Sequence, residues 1–470
     1  MADKELIFTF TYDNWPLAVT IEIISSKLVS GSDFVWIDWT GKLSKKLEYS
    51  VASRIHISQT KKRIKKSNLI TDLSELSPKG TFCYQNYCEE ISNYGNEIDK
   101  IAEEVAYLEL ISIVRESKPV KESYTTLLDS YKDTYKKTYA AAKNLLECVK
   151  PNKVFLYNGR FLQERAVWEA SKNLGISVNF FEKFNPNWID RYFVFEKPTH
   201  SPRYRSKIME SYFDNLVQRN SNRIAEIGEK WFKDRMDGIT QNFTKLQKND
   251  LGLAHLRPYF VYFHSSEDEL ITSELISQNW GDQISALNSL VEVMNISKRY
   301  NLIIRLHPNL LHKSRLEIET WTSLVKKISR EHKWVTIINS DSEINSYKLV
   351  NESLGVLTVG STIGVEAAFL GKKSILLGTA FHEYMGITLN PKNIIELEKT
   401  LNTNLTDAEV LSIKKNSLKY AIFHSLGGNQ MIFVNHKHGS KDVIYTFKRF
   451  KVKYSKIVLL LIKIFKTLSN

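Results

Sequence analysis

Two loops in the second half of the chain carry residue types suited to binding a phosphate. The first contains Arg305, His307 and Pro308 and follows the apolar run Leu302–Leu306. Pro308 fixes its own φ and restricts the residue before it, so we expect His307 to be held at the end of a strand. An imidazole there can donate to a phosphate oxygen, and Arg305 can add positive charge. The alternative is a structural histidine in a turn.

The second loop contains Gly360, Ser361 and Thr362, followed by a predicted helix that carries Glu366. The start of a helix offers free backbone N–H groups and the positive end of the helix dipole to an anion. Glu366 lies four residues after Thr362 on the same helix face and could accept the two ribose hydroxyls of a nucleotide. Ordinary N-capping and a solvated glutamate are the alternatives.

Further polar loops follow other predicted strands. The segment 264–269 reads HSSEDE, in which Ser265 and Ser266 are candidate ligand-binding residues. Its acidic residues are also typical of an ordinary helix start. The segment 379–386 should face the same crevice. In the first half, Asn158 and Arg160 follow an apolar strand and could bind a ligand, although simple turn chemistry explains them equally well.

These loops are placed by an alternation of strands and helices. The predicted strands are Leu6–Tyr12, Phe34–Trp39, Lys153–Tyr157 and Ile176–Phe181, then Tyr259–Phe263, Leu302–Leu306, Val335–Ile338, Gly355–Thr358 and Ser374–Leu377. A long charged helix is predicted over 203–235. Strands alternating with helices predict parallel sheets covered on both faces, and ligands then bind beyond the carboxyl ends of the strands. We therefore expect an α/β protein with two doubly wound Rossmann-like domains that face a cleft.

The expected domains are 1–236, a polar linker over 237–258, a second domain over 259–430 and a basic tail over 431–470. The 470 residues are 43% hydrophobic, which excludes global disorder.

No GxGxxG, GxxxxGK[ST], GxSxG or HExxH motif occurs, so fingerprint-type dinucleotide binding, P-loop hydrolysis and zinc proteolysis lack support. Three cysteines (Cys83, Cys88 and Cys148) match neither a disulfide framework nor a zinc pattern and are expected to be reduced thiols of a cytoplasmic protein.

The net charge of +13 is concentrated in two segments. Residues 42–66 carry nine Lys/Arg and one acid, and residues 443–470 carry seven Lys/Arg and no acid. From Phe447 onward the apolar side chains fall on one helical face, which predicts a basic amphipathic helix on an anionic membrane surface. A helix packed against the protein body is the alternative. We expect no signal peptide, no spanning helix and no nucleic-acid partner.

In combination, three motifs resemble the donor half of bacterial GT-B glycosyltransferases. They are Arg-x-His-Pro (305–308), Gly-Ser-Thr-x-Gly-x-Glu-Ala (360–367) and Leu-Gly-Lys-Lys-Ser-Ile-Leu-Leu-Gly (370–378). The likeness is greatest to capsule polysaccharide synthesis families, including capsular Kdo transferases and bacterial polysialyltransferases. Residues 263–269 (FHSSEDE) also look like the first donor-domain loop of relatives in surface polysaccharide clusters.

This resemblance implies a nucleotide-sugar donor, with a CMP-sugar favoured, and a glycan or lipid-linked glycan acceptor. His307, Ser361 and Thr362 would hold the departing phosphate, and Glu366 would bind the ribose. The reaction would be inverting and need no metal or other cofactor, at the inner face of the cell membrane. A carboxylate would take the acceptor proton. Asp13 and Glu164 are the candidate bases, because each follows a predicted strand of the first domain.

Three other functions stay open at this point. A transferase that moves polyol phosphate from a CDP-polyol, as in teichoic acid polymerases, uses a similar His-Pro loop and Ser-rich loop. A non-hydrolysing sugar-nucleotide epimerase shares the GT-B shape but acts without an acceptor. A non-catalytic glycan-binding or scaffold protein would bind nucleotide without turnover.

Overall fold

The computed structural model describes residues 4–10, 14–39, 69–70, 95–183, 191–198, 200–217, 221–238, 258–273, 275, 277–438 and 443–447. The chain divides into two compact units. Unit 1 takes its described residues from Met1–Glu109, Lys121–Thr199 and Gly428–Asn470. Unit 2 takes its residues from Leu110–Val120 and His200–Gly427.

The elements of the first half of the chain are mostly those of unit 1. In chain order they are β1 Glu5–Thr9, α1 Asn14–Ser30, β2 Phe34–Asp38, β3 Leu69–Ile70, α2 Gly95–Val114, a 3-10 turn Lys121–Tyr124, α3 Thr125–Val149, β4 Lys153–Tyr157, α4 Leu162–Asn173, β5 Ser177–Lys183, β6 Arg191–Phe195, α5 Pro202–Val217 and α6 Ser221–Met236.

The second half carries the elements of unit 2 and a short return to unit 1. They are β7 Tyr259–Phe263, α7 Glu267–Thr272, α8 Gln283–Ser297, β8 Asn301–Arg305, a 3-10 helix Pro308–His312, α9 Arg315–Glu331, β9 Val335–Ile338, α10 Ser346–Glu352, β10 Gly355–Thr358, α11 Ile363–Phe369, β11 Lys373–Leu376, α12 Ile394–Asn402, α13 Asp407–Leu426, β12 Asn429–Gln430, β13 Val434–His438 and β14 Val443–Phe447.

Unit 1 contains a seven-stranded sheet in the order β12-β6-β5-β4-β1-β2-β3. The five strands β1 to β5 run parallel, while β6 runs antiparallel to both of its neighbours, β5 and β12. The final stretch of the chain returns to this unit, where the buried Glu22 carboxylate accepts the N–H groups of Ile432, Phe433 and Val434 at 2.6–2.9 Å. These bonds satisfy a carboxylate that is only 2% exposed.

Unit 2 contains a five-stranded, fully parallel sheet in the order β11-β10-β7-β8-β9. All five residues of β7 are buried, as expected for a central strand covered by helices on both faces. Numbered along unit 2, its strand order is 3-2-1-4-5, which is the doubly wound Rossmann arrangement. The predicted α/β class with two Rossmann-like sheets is thus confirmed.

The predicted helix over 203–235 is wrong in one respect, because it consists of two helices, α5 and α6. The structure also assigns residues from 200 onward to unit 2, not to the first domain as predicted. The physical reason is packing. Phe232 stacks on Phe369 of α11 at 4.0 Å, and Trp231 meets Tyr420 of α13 edge-on. A Cβ on Gly228 would lie 3.0 Å from side chains of α13, so α6 approaches that helix closely.

Within the predicted basic tail over 431–470, residues Val434–His438 and Val443–Phe447 form an antiparallel hairpin, β13 and β14. The amphipathic helix predicted from Phe447 onward falls outside the described residues beyond Phe447 itself and stays a prediction. Residues 448–470 lie outside the described residues, as do Asp13, Cys83, Cys88 and most of the predicted linker. Cys148 is an exposed free thiol. Of the helices that the structure describes, none has the length and apolar character needed to cross a membrane.

Candidate functional site

Three loops of unit 2 meet at one edge of its sheet. Phe263, the last residue of β7, is level with Arg305 at the end of β8 and with Thr358 at the end of β10. The chain leaves β7 toward β8 on one side of the sheet and later returns to β10 on the other. The gap between β7 and β10 is therefore the topological switch point, where doubly wound sheets bind their ligands. The predicted motifs flank this point.

The loop after β7 is held by an amide clamp. The Gln283 side chain accepts the N–H of Ser265 at 2.6 Å and donates to the Ser265 carbonyl at 3.1 Å. The Gln283 N–H in turn donates to Glu267 at 2.6 Å. The pKa of the Glu267 carboxyl is raised to about 7, chiefly by burial and also by the nearby Asp282 and Glu317 carboxylates, against the lowering effect of the Gln283 bond. Ser265 is buried, so its position is fixed before any ligand binds.

Two imidazoles lie side by side at this edge. The His307 N–H donates to Nδ1 of His264 at 3.3 Å, and the Asn309 N–H donates to Nδ1 of His307 at 3.0 Å. In both rings Nδ1 is thus an acceptor, so a neutral ring carries its proton on Nε2. Burial, together with the Lys313 and Arg305 charges, lowers the pKa of His307 to about 4. Burial also lowers the pKa of His264 well below its ordinary value, so both rings are neutral at pH 7.

Pro308 begins the short 3-10 helix after β8, and His307 is its N-cap residue. The sequence argument from Pro308 therefore describes the local backbone well. Arg305 is held by the loop after β9. Its guanidinium donates to the carbonyls of Asn339 and of Ser342, the latter at 2.9 Å. Arg305 is 2% exposed, and its desolvation lowers its pKa to about 10. The side chain therefore braces this loop, and a contribution of its charge to a bound phosphate stays a prediction.

The loop after β10 also differs in one respect from the prediction. The Thr358 hydroxyl accepts the N–H of Gly360 at 2.9 Å and the N–H of Ser361 at 2.7 Å. The Ser361 hydroxyl accepts the Ile363 N–H at 3.4 Å. These three backbone N–H groups already donate within the loop. They are therefore not available to a phosphate, although the sequence analysis expected them to be. A Cβ at Gly360 would lie 2.7 Å from the Leu270 side chain, which explains the glycine.

Glu366 forms a buried ion pair instead of facing a ligand. The Arg235 guanidinium donates to one carboxylate oxygen at 2.7 Å, and the Tyr347 hydroxyl donates to the other at 2.7 Å. Arg235 also donates to the Thr362 hydroxyl at 3.1 Å. Glu366 is 2% exposed, so the predicted ribose contact is corrected to a structural one. The pair fixes the start of α11, the helix that follows Ser361.

Sequence reasoning missed a charged group beside the imidazoles. Asp268 binds Lys313 at 2.5 and 2.7 Å and Arg115 at 3.2 Å. Lys313 is almost fully buried, at 4% side-chain exposure. The acidic run 267–269 was the available signal, but Arg115 is far away in sequence and no local pattern connects it to this loop.

The candidate base Glu164 lies at the start of α4 in unit 1. It is 5% exposed, and its pKa is raised to about 8, chiefly by burial and also by the nearby Glu109 carboxylate. Burial also raises the pKa of Glu109, whose carboxylate accepts a backbone hydrogen bond from Leu162 and feels the Arg160 charge. Glu164 is therefore mostly protonated at neutral pH. Glu109, which the sequence analysis did not select, shares this buried acidic environment.

Asn158 and Arg160 lie in the turn after β4. Asn158 has φ 52° and Gly159 has φ 84°, both in the left-handed region. Asn158 donates from its side chain to Glu182 at 2.9 Å, and the Arg160 guanidinium lies 5.1 Å from the Phe161 ring centroid. The sharp turn explains the Asn-Gly pair, since a Cβ at Gly159 would overlap the Phe180 ring. A ligand-binding role for Asn158 and Arg160 stays a prediction.

The strand order of unit 2 defines a Rossmann-like unit. Residues 219–421 match the family model described as "Capsule polysaccharide biosynthesis protein". The matched segment contains all three motifs on which the resemblance was based, and the resemblance to this family is confirmed. The description of this family names polysaccharide biosynthesis and no particular reaction, so the glycosyltransferase class stays a prediction at this point. No curated protein sequence matches the chain.

Several solved structures are similar to parts or most of the chain. The beta Kdo 2,4 transferase KpsC of Thermosulfurimonas dismutans is 14% identical, with a TM-score of 0.33 over 58% of this chain and 87% of that chain. The S. aureus MnaA–UDP structure is 12% identical, with a TM-score of 0.30 over 90% and 94%. The UDP-GlcNAc 2-epimerase from Neisseria meningitidis, bound to UDP-GlcNAc, is 11% identical, with a TM-score of 0.30 over 90% and 96%. At these scores the structures do not decide between transferase and epimerase chemistry.

Proposed function

We propose that the protein is a glycosyltransferase of capsule or similar surface polysaccharide synthesis that uses a nucleotide-sugar donor. The family match over residues 219–421 supports this function, and so does the doubly wound sheet of unit 2. The observation that carries the proposal is the meeting of the loops after β7, β8 and β10 at the switch point, with His264, His307 and Ser361 on those loops.

In this proposal the donor phosphate lies between the loops that follow β8 and β10. Those strands are separated only by β7, so their ends are two strand spacings apart, or about 10 Å. A neutral His307 can donate from Nε2 to a phosphate oxygen without holding the leaving nucleotide by a fixed charge. The Ser361 hydroxyl, which accepts one weak backbone bond, keeps its own proton for donation to a second phosphate oxygen.

The role of the remaining predicted donor residues changes accordingly. Arg305 and the Arg235–Glu366 ion pair hold these loops in place and thereby position His307 and Ser361. Thr362 accepts from Arg235 and can still donate its hydroxyl proton. Residues that would bind the donor therefore alternate with residues that hold the loop in place along each short segment. This alternation accounts for the spacing of the motifs.

For the acceptor side we propose unit 1, with Glu164 as the group that exchanges a proton with the acceptor hydroxyl. Because its pKa is raised to about 8, the base form of Glu164 is populated mainly above that pH. Asp13 is the second candidate base and lies outside the described residues. A CMP-sugar donor, inversion at the sugar, independence of metal and a position at the inner membrane face belong to the same proposal and derive from the resemblance.

A thermal-shift panel tests this proposal directly. We expect one of CMP, CDP, UDP and GDP, with CMP first, to raise the Tm of the wild-type protein in EDTA. The His307→Ala variant should fold but lose that shift. A wild-type protein that responds to none of these nucleotides contradicts the proposal, and so does a product that contains a phosphodiester-linked polyol.

A further inference from the structure

Three consecutive residues after β7 carry buried polar atoms without partners. Nε2 of His264, the Ser265 hydroxyl and the Ser266 hydroxyl find no hydrogen-bond partner among the residues that the structure describes. His264 and Ser265 are each 4% exposed. Buried polar atoms are nearly always paired in native proteins, and an unpaired one costs free energy. Three in a row at the switch point of a doubly wound sheet indicate a ligand that supplies the missing partners.

The geometry of this loop keeps the three side chains available. Gln283 clamps the peptide of Ser265 on both sides, so the loop cannot turn inward to satisfy the hydroxyls. Ser266 is the N-cap residue of α7, yet its side chain makes no capping bond. A serine at an N-cap usually accepts from a backbone N–H of the first turn. The Ser266 hydroxyl makes no such bond, so it is already placed to bond to a ligand.

The charge around this loop indicates what kind of ligand it fits. The His264 ring is neutral, because burial lowers its pKa, and it offers one N–H donor at Nε2. The cations around this loop are paired with carboxylates: Lys313 Nζ lies 2.5 and 2.7 Å from the two Asp268 oxygens, and Arg115 lies 3.2 Å from both Asp268 and Glu269. The Nε2–H of His264 can donate to a hydroxyl group, and the two serine hydroxyls can both donate to one and accept from one, so this loop suits uncharged hydroxyl groups.

We propose that His264, Ser265 and Ser266 bind the hydroxyl groups of the sugar moiety of the donor. The inference rests on the proposed function, because it assumes a nucleotide-sugar. The phosphate then lies toward His307 and Ser361, and the sugar lies over the β7 loop between them. His264 joins the two halves of the site, since its Nδ1 fixes the backbone of His307 while its Nε2 contacts the sugar.

The test separates nucleotide binding from sugar binding. Isothermal titration calorimetry is carried out with CMP against CMP-N-acetylneuraminate, and with UDP against UDP-N-acetylglucosamine, on wild type and on Ser265→Ala and Ser266→Ala. For the pair that wild type binds, each variant should bind the bare nucleotide with unchanged Kd and bind the sugar nucleotide about 3- to 10-fold more weakly, as expected for one lost hydrogen bond.

A stability measurement distinguishes a binding role from a structural one. Removing an unpaired buried hydroxyl should leave the Tm of the ligand-free protein unchanged or raise it. The Ser297→Ala variant is the matched control, because that hydroxyl already bonds to the Met294 carbonyl at the opposite end of the sheet. His264→Gln can place an amide N–H near the position of Nε2 and should retain part of the sugar affinity, whereas His264→Phe should lose it.

Two results would overturn the sugar subsite while leaving the proposed function intact. One is an equal loss of affinity for nucleotide and sugar nucleotide in the serine variants, which would place the nucleotide on this loop. The other is unchanged sugar-nucleotide affinity with a lowered Tm, which would mean that internal water satisfies these groups. A wild-type protein that binds none of these four ligands, and neither CDP nor GDP, contradicts both the proposed function and the subsite.

Discussion

Arg235 and Glu366 are 131 positions apart in the sequence, yet the arginine Nε donates to the glutamate carboxylate at 2.7 Å inside unit 2. Removing one partner of a buried pair leaves the other charge uncompensated, which costs about 3–5 kcal/mol. We expect Arg235→Met to lower the free energy of unfolding by about that amount in urea titrations. The double variant Arg235→Met/Glu366→Gln should recover most of it. Additive losses in the double variant would contradict a coupled pair.

His307 should contribute to turnover through a neutral N–H. We expect His307→Ala to lower kcat by about 10²–10³, the usual cost of one preorganised donor to a developing negative charge. His307→Gln should retain part of the activity. His312→Ala is the control, since this exposed histidine ends the same 3-10 helix. Equal activity of His307→Ala and His312→Ala would remove His307 from the mechanism.

Glu164 should make stability depend on pH. Its pKa rises from 4.5 to about 8 on folding, so the folded state holds a proton that the unfolded state releases. The stabilisation is complete below pH 4.5 and is lost as the pH rises through about 8. We expect Glu164→Gln to flatten this decline in urea titrations between pH 5 and 9. Glu147→Gln, on the exposed side of α3, should follow the wild-type curve.

The same substitution tests Glu164 as a base. If its carboxylate accepts the acceptor proton, the rate should increase with pH up to about 8 and then level off, and Glu164→Gln should abolish that increase. A pH profile of kcat measured on both proteins decides the question. An unchanged profile in Glu164→Gln would transfer the role to Asp13.

Residues 448–470 should bind anionic membranes, because they carry seven Lys/Arg, no acid and many apolar side chains. We expect the full chain to cosediment with vesicles containing phosphatidylglycerol at low salt, and the chain ending at Phe447 to stay in the supernatant. Pure phosphatidylcholine vesicles are the control. If both proteins sediment equally, the membrane contact lies elsewhere.

The alternation of strands and helices in unit 2 could be predicted from sequence because each buried parallel strand is a short apolar run closed by a polar loop. The roles of Arg305 and Glu366 could not. Both sit at motif positions that suit a ligand, but their partners (the Asn339 and Ser342 carbonyls, and Arg235) come from segments with no local signal. The tautomer of His264 was equally hidden, since it depends on the His307 backbone N–H, which the neighbouring strand β8 brings to the ring. The tautomer of His307 depends on the local turn that brings the Asn309 N–H to its Nδ1.

The hydrogen bonds that Glu22 accepts from residues 432–434 affect the order in which the two units fold during synthesis. Unit 2 has all of its sequence once Gly427 has emerged, whereas the sheet of unit 1 still lacks β12 and the partners of a buried carboxylate. The unit made first is therefore completed last. Nascent chains stalled so that the tunnel exit lies between Gly427 and Val434 should carry a protected unit 2 and a protease-sensitive unit 1.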